Sequence, residues 1–138
     1  MNILWADDQP DVAKSFARSL NMENCSFEYV SNGDDALEKI LTSNYDLILI
    51  DLAMPPERWG GLWLLEKISE LDINIISIVV SGEGTQSETI KALRLGASDY
   101  VTKDKLLDEL PSQIALSLSK EAKKRKEMLA IIKAGESN

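Results

Sequence analysis

Apolar residues fall along this chain in two alternating kinds of block. Asn2 to Ala6 is short and apolar and stops abruptly at Asp7-Asp8, which predicts a buried strand. Asp11 to Met22 carries Val12, Ala13, Phe16, Ala17 and Leu20 at helical spacing, with Pro10 near its start. Ser26 to Val30 alternates, with Phe27 and Tyr29 as its large members, and Asn32-Gly33 closes this second strand. Asp34 to Thr42 returns to helical spacing through Ala36, Leu37, Ile40 and Leu41. Asp46 to Asp51 is a third strand, apolar on both faces through Leu47 to Ile50. Gly61 to Leu71 is helical, Asn74 to Ser81 a fourth strand, and Gln86 to Leu95 a helix stopped by Gly96. Ser98 to Thr102 is a short fifth strand, and the pattern is helical again from Lys105.

Five strands thus alternate with five helices. Strands that are apolar throughout must be covered on both faces, which implies a parallel sheet between two helix layers. Crossovers between parallel strands are right-handed. The expected fold is therefore a doubly wound α/β sandwich. The last helix is unusual. Leu110, Ile114, Leu118, Ala122, Leu129 and Ile132 continue its pattern beyond a compact domain. Pro111 is costly in a helix interior, so the helix is expected to begin around Asp108 to Leu110. A division at 1–119 and 120–138 follows, the second part being a basic helical extension or linker. A dimerising segment, a linker to another domain and a frayed tail all fit it.

Composition narrows the chemistry. A chain of 138 residues suits one domain with one sizeable core and a short appendage. With hydrophobic residues at 44%, it has enough apolar surface to fold rather than stay disordered. No apolar run reaches membrane-spanning length. The N-terminus has no basic start and turns acidic at once, unlike a signal peptide, so the expected location is the cytoplasm. The single cysteine, Cys25, forms no intrachain disulfide and reads as an inert thiol. There is no histidine, which excludes a Ser-His-Asp triad, a Cys-His pair and a His-ligated zinc site. It also excludes a phosphohistidine donor on this chain. The net charge is −8, and it is uneven. Residues 120–138 hold six Lys/Arg and three Asp/Glu, a net of +3 that leaves −11 for residues 1–119. An acidic body disfavours nucleic acid, and the basic run from Lys120 to Lys126 reads as a solvated helix face.

Polar groups fall just past the apolar runs of four strands. Asp7 and Asp8 follow the first, Asp51 the third, Ser81 the fourth and Lys103 the fifth. In a parallel sheet these are all carboxyl ends on one edge. With strand order 2-1-3-4-5, the reversal lies between strands one and three, flanked by Asp7, Asp8 and Asp51. Three packed carboxylates repel and raise one another's pKa. A hard divalent cation such as Mg²⁺, bound through oxygens, removes the conflict. Lys103 adds a positive charge opposite, and Ser81 a hydroxyl. Such a set can carry phosphoryl transfer to an Asp nucleophile. An Asp after one strand is often only a helix cap or turn residue. Two adjacent ones, a third, and Ser and Lys on the same edge make a stronger case.

These segments resemble the receiver domain of two-component response regulators, from about Asn2 to Leu118. The match lies in Leu4-Trp5-Ala6-Asp7-Asp8, Asp46 to Pro55, Gly61-Leu62, Val79-Val80-Ser81-Gly82 and Gly96 to Lys103. Together they are specific; singly each is weak. The resemblance implies a flavodoxin-like sheet of order 2-1-3-4-5. It implies that Asp51 is phosphorylated by a sensor histidine kinase or histidine phosphotransfer protein, and that Asp7, Asp8, Asp51 and the Ala53 carbonyl hold Mg²⁺. Ser81 then matches the switch hydroxyl, Tyr100 the switch aromatic and Lys103 the phosphate-pairing lysine. Tyr100 also fits an ordinary half-buried strand tyrosine. The implied output is a changed protein contact on the face of helix four, strand five and helix five, toward a downstream target, a fused output domain or a second copy. Such a domain is no enzyme beyond its own phosphorylation and dephosphorylation.

Two departures stand out. Asp104 replaces the proline that the family carries after its lysine, often with a cis peptide. A cis bond before a non-proline is costly, so this loop is expected to be trans or rearranged, which leaves the exact place of Lys103 open. Pro56-Glu57-Arg58-Trp59-Gly60 also makes the loop after Asp51 about two residues longer than the family pattern. Arg58 and Trp59 suit partner contact, a shield over an acyl phosphate, or a plain insertion.

Three rival readings compete. A flavodoxin-like cofactor binder needs a phosphate cradle after strand one, where this chain has Asp-Asp-Gln-Pro-Asp. An aspartate-nucleophile phosphatase wants Asp-x-Asp, where Asp7 is followed by Asp8-Gln9. A receiver-like docking module that works without phosphate retains the fold and loses the chemistry.

Overall fold

The computed structural model describes residues 1–82 and 86–136. The order is β1 (Asn2–Ala6), α1 (Pro10–Leu20), β2 (Ser26–Val30), α2 (Gly33–Thr42), β3 (Leu47–Ile50), α3 (Gly60–Glu70), β4 (Ile76–Ser81), α4 (Gln86–Arg94), β5 (Asp99–Thr102) and α5 (Leu106–Glu136). The five strands form one parallel sheet, in the order β2-β1-β3-β4-β5. This is the doubly wound arrangement expected from the continuous apolar strands.

Alternation along each strand splits the core in two. Leu4, Ala6, Ile48, Ile50 and Val79 face Ala36 of α2, Leu64, Leu65 and Ile68 of α3, and Ala92 of α4. Ile3, Trp5, Leu47, Leu49, Ile78 and Val80 face Ala13 and Ala17 of α1 and Leu106, Leu110 and Ile114 of α5. Every residue of β3 is fully buried. Each such side chain stabilises the fold by about 1.5–3 kcal/mol relative to exposure. The sheet therefore holds its carboxyl edge on a rigid base.

Element ends follow local chemistry. Asn21 ends α1 in the left-handed region, with φ of 46°. The Asn32 side chain caps α2 by accepting the Asp35 N–H at 2.8 Å. Gly96 follows α4 with φ of +104°, a conformation that L side chains rarely adopt.

One expectation is corrected and one is met. Helix α5 begins at Leu106, not at Asp108 to Leu110, and Pro111 lies inside it. Leu106 and Leu110 are both fully buried, and their packing outweighs the lost hydrogen bond. The trans geometry expected after Lys103 is met. The Lys103–Asp104 bond is trans, and the cis peptide among the described residues joins Pro55 and Pro56. Lys103–Lys105 forms a 3-10 turn leading into α5. This turn replaces the proline geometry, and ion pairs with Asp7 and Asp51 keep the lysine at the sheet edge. Helix α5 has 31 residues, about 46 Å at 1.5 Å per residue. Side chains 122–136 are all exposed. The final two positions of the expected extension, 137 and 138, lie outside the described residues.

Candidate functional site

The carboxyl edge brings most of the expected polar groups together. Parallel pairing aligns Ala6 with Ile50 and Ile50 with Val79. The residues that follow, Asp7 and Asp51, then emerge side by side, with Ser81 at the end of β4. Backbone bonds fix them: the Asp7 N–H donates to the Val30 carbonyl at 3.0 Å, and the Asp51 N–H to that of Ala6 at 2.9 Å. Asp7, Asp51 and Ser81 are buried, while Asp8 is exposed.

Lys103 reaches into this group from the end of β5. Its Nζ lies 2.9 Å from Asp7 Oδ2 and 3.2 Å from Asp51 Oδ2. The Ser81 hydroxyl donates to Asp51 Oδ1 at 3.1 Å, and the Ala53 N–H to the same oxygen at 3.2 Å. Beside them opens a cavity of about 330 Å³, lined by Asp8, Gln9, Asp51, Ala53, Gly82 and Lys103. Tyr100 does not line it; its half-buried ring packs against the core shared with α2, α3 and α4.

The electrostatics are under tension. Burial pushes the Asp51 carboxyl up to about 6. The Lys103 charge pulls it down, the Asp7 charge pushes it up, and hydrogen bonds from Lys103 and Ser81 lower it. Asp8 is raised by loss of surrounding water, then by the Asp7 charge and a hydrogen bond with Asp7, against the pull of Lys103. Burial alone would lower Lys103, but its bonds and charge pairing with Asp7 and Asp51 outweigh this and hold it above its usual value. One ammonium thus serves two buried carboxylates, with a third carboxylate nearby.

Asp7, Asp8 and Asp51 each offer an oxygen within 4.8 Å of the others. Hard, anionic and clustered, this donor set fits a divalent cation such as Mg²⁺. The raised Asp8 and Asp51 are the electrostatic sign of a site that favours added positive charge.

Two features escaped the sequence. The Gln9 N–H donates to Asp7 Oδ1 at 2.8 Å and so orients that carboxylate. Its only signal was its place beside the acid pair. The second is the packing under the loop after Asp51. A Cβ on Gly61 would meet the Asp51 carbonyl oxygen at 2.3 Å, and one on Gly60 the Met54 carbonyl oxygen at 2.0 Å. The Gly33 N–H donates to the Pro55 carbonyl at 2.8 Å, tying this loop to α2. Its tip carries Arg58 over the Trp59 ring at 5.3 Å. The longer loop is therefore braced at its base.

Residues 3–115 match the family model described as response regulator receiver domain. The chain is 33% identical over 116 residues to the transcriptional regulatory protein DltR of Streptococcus agalactiae, covering 84% of this chain and 51% of that protein. It is 32% identical over 114 residues to the response regulator MprA of Mycobacterium leprae, covering 83% and 49%. The chain thus spans about half the length of the curated relatives it matches. Among solved structures, a CheY-like response regulator receiver domain protein from Methanospirillum hungatei superposes with a TM-score of 0.79 at 27% identity, covering 89% of this chain and 97% of that one. Among the described residues, no helix is long and apolar enough to cross a membrane.

Proposed function

The chain belongs to the receiver domain family of two-component response regulators, and on that premise we propose that it takes a phosphoryl group onto Asp51 and thereby switches a protein contact. The donor is a phosphohistidine on a sensor kinase or phosphotransfer protein. An Asp51 carboxylate oxygen forms the new O–P bond as the donor's P–N bond breaks, and the imidazole departs with a proton.

Each residue has a stated task. Asp51 is the nucleophile. Asp7 and Asp8, with Asp51 and the Ala53 carbonyl, would hold Mg²⁺. When bound, that ion supplies the positive charge that keeps Asp51 ionised and neutralises phosphoryl oxygens. Lys103 leaves its carboxylate partners to pair with the incoming phosphoryl group. Ser81 trades its bond to Asp51 Oδ1 for one to that group. Tyr100, half-buried opposite Val79 on the neighbouring strand, follows Ser81 and alters the face of α4, β5 and α5. A downstream target or a fused output domain would read this face, in the cytoplasm. Residues 1–119 form the switch, and the rest of α5 is an appendage to it.

The observation that carries this reading is the contact of Lys103 with both Asp7 and Asp51 beside an open cavity. The test is intact-protein mass after incubation with acetyl phosphate, with and without Mg²⁺, for wild type and Asp51→Asn. One added phosphoryl group that needs Mg²⁺ and Asp51 supports the switch. No adduct despite Mg²⁺ binding would leave a docking module that works without phosphate.

A further inference from the structure

The end of α5 carries a pattern that phosphoryl transfer does not use. Upstream, Leu106, Leu110, Ile114 and Ser117 bury one face of the helix against the sheet. Every side chain from 122 to 136 is exposed, yet this stretch includes Met128, Leu129, Ile131 and Ile132 at 54%, 50%, 72% and 54% exposure. A solvated helix end has no need of four large apolar side chains within five residues.

Their spacing is informative. Beyond Leu118, which packs on the body's own core, Ala122, Arg125, Leu129 and Ile132 recur at intervals of three, four and three. That is the a/d spacing of a two-stranded coiled coil. Arg125 at one d position contributes its carbon stem, and its guanidinium reaches Glu121 at 3.5 Å. Ile131 lies off this stripe.

We propose that the overhanging end of α5 pairs in parallel with the same segment of a second copy of this chain. Charge selects the occupant and the direction. Glu121 and Met128 flank the stripe on one side, Lys126 and Lys133 on the other. In a parallel pair, flanking positions five residues apart face each other, so Glu121 of each copy meets Lys126 of the other. In an antiparallel pair like flanks meet, and Lys126 and Lys133 would face lysines. An anionic lipid surface would attract the lysines of 120–138, but the −11 body would be repelled from it. The seam is only about one and a half heptads long, so the pair is weak and forms in proportion to concentration. This inference does not depend on phosphorylation.

Sedimentation equilibrium of the full 138-residue chain tests it. The apparent mass should rise from 15.3 kDa toward twice that value as concentration increases. Leu129→Glu with Ile132→Glu should hold it at one chain throughout, with unchanged melting of the body. Glu121→Lys should weaken association, and adding Lys126→Glu should restore it. Direction is read by oxidation in a Cys25→Ser background. Ile132→Cys should form a disulfide-linked dimer, whereas Lys123→Cys, on the outer face, should not. A single-chain mass at millimolar concentration would overturn the proposal. So would association that survives Leu129→Glu with Ile132→Glu, or a monomer that binds phosphatidylserine vesicles through this stripe.

Discussion

Strand β3 is bracketed by two aspartates with opposite fates. Asp46 precedes it and Asp51 follows it. Asp46 is exposed, accepts the Asn2 N–H at 2.7 Å and donates its own N–H to the Asn2 carbonyl at 2.8 Å. Asp51 is 3% exposed, shares one lysine with Asp7 and is pushed up to about 6. The same residue type satisfies one end of the strand and strains the other. Acidity alone therefore marks nothing here; burial among like charges does.

Replacement of each aspartate separates the two ends most clearly. Asp51→Asn should abolish phosphoryl uptake from acetyl phosphate, measured as the mass adduct. Asp46→Asn should leave it intact. Uptake that persists in Asp51→Asn would move the acceptor elsewhere. Lys103→Ala should slow uptake by about 10²–10³-fold, the usual effect of losing one preorganised charge on a transferring group. The rate of adduct formation at saturating Mg²⁺ reads this.

Stability separates the two ends again. If Asp7, Asp8 and Asp51 hold Mg²⁺, binding stabilises the native state by mass action. At a hundredfold excess over Kd the gain is about 2.7 kcal/mol, on the order of 10 °C in Tm for a domain this size. Thermal melts of wild type should show it, and melts of Asp7→Asn should not.

The next effect is smaller and appears without metal. The folded pKa of Asp51, about 6, lies above its ordinary value of 3.8. The native state therefore binds this proton more tightly than the unfolded chain does. Stability from this group is full below about pH 4 and falls as pH rises through about 6. Asp51→Asn should then stabilise the metal-free protein at pH 7.5 by about 1–3 kcal/mol, from about two pKa units at 1.36 kcal/mol each. The gain should shrink below pH 4. A variant as stable as wild type at both pH values would remove the tension from Asp51.

Much of this was legible because strands write themselves plainly. Leu47 to Ile50 is apolar at every position, so burial on both faces and a parallel sheet followed directly. Asp7, Asp51, Ser81 and Lys103 sit at strand ends, so topology alone put them on one edge. What stayed hidden depends on packing between distant segments. Pro111 argued against an early helix start, but the burial of Leu106 and Leu110 decides it. Asp104 left the exact place of Lys103 open, and the 3-10 turn and two carboxylates decide it. Gly61 read as a helix start and Gly60 as the end of a loop, and only the close approach of the Asp51–Pro55 backbone explains why both are glycine. The pairing of Asp7 with the Gln9 N–H is a backbone bond, which side-chain identity does not announce.

The smallest effect belongs to a glycine far from this tension. Gly96 has φ of +104°, and a Cβ added there would meet nothing within 4 Å. Gly96→Ala would therefore meet backbone strain and no clash, costing about 1 kcal/mol. Gly61→Ala, by contrast, would drive a methyl into the Asp51 carbonyl oxygen. The first should lower Tm by a few degrees and leave phosphoryl uptake at the wild-type rate. The second should slow uptake, because the loop that carries Asp51 has to move. Equal loss of uptake in both would mean that the site responds to general stability rather than to its own geometry. A loss confined to Gly61→Ala would place the control of Asp51 in the packing directly beneath it.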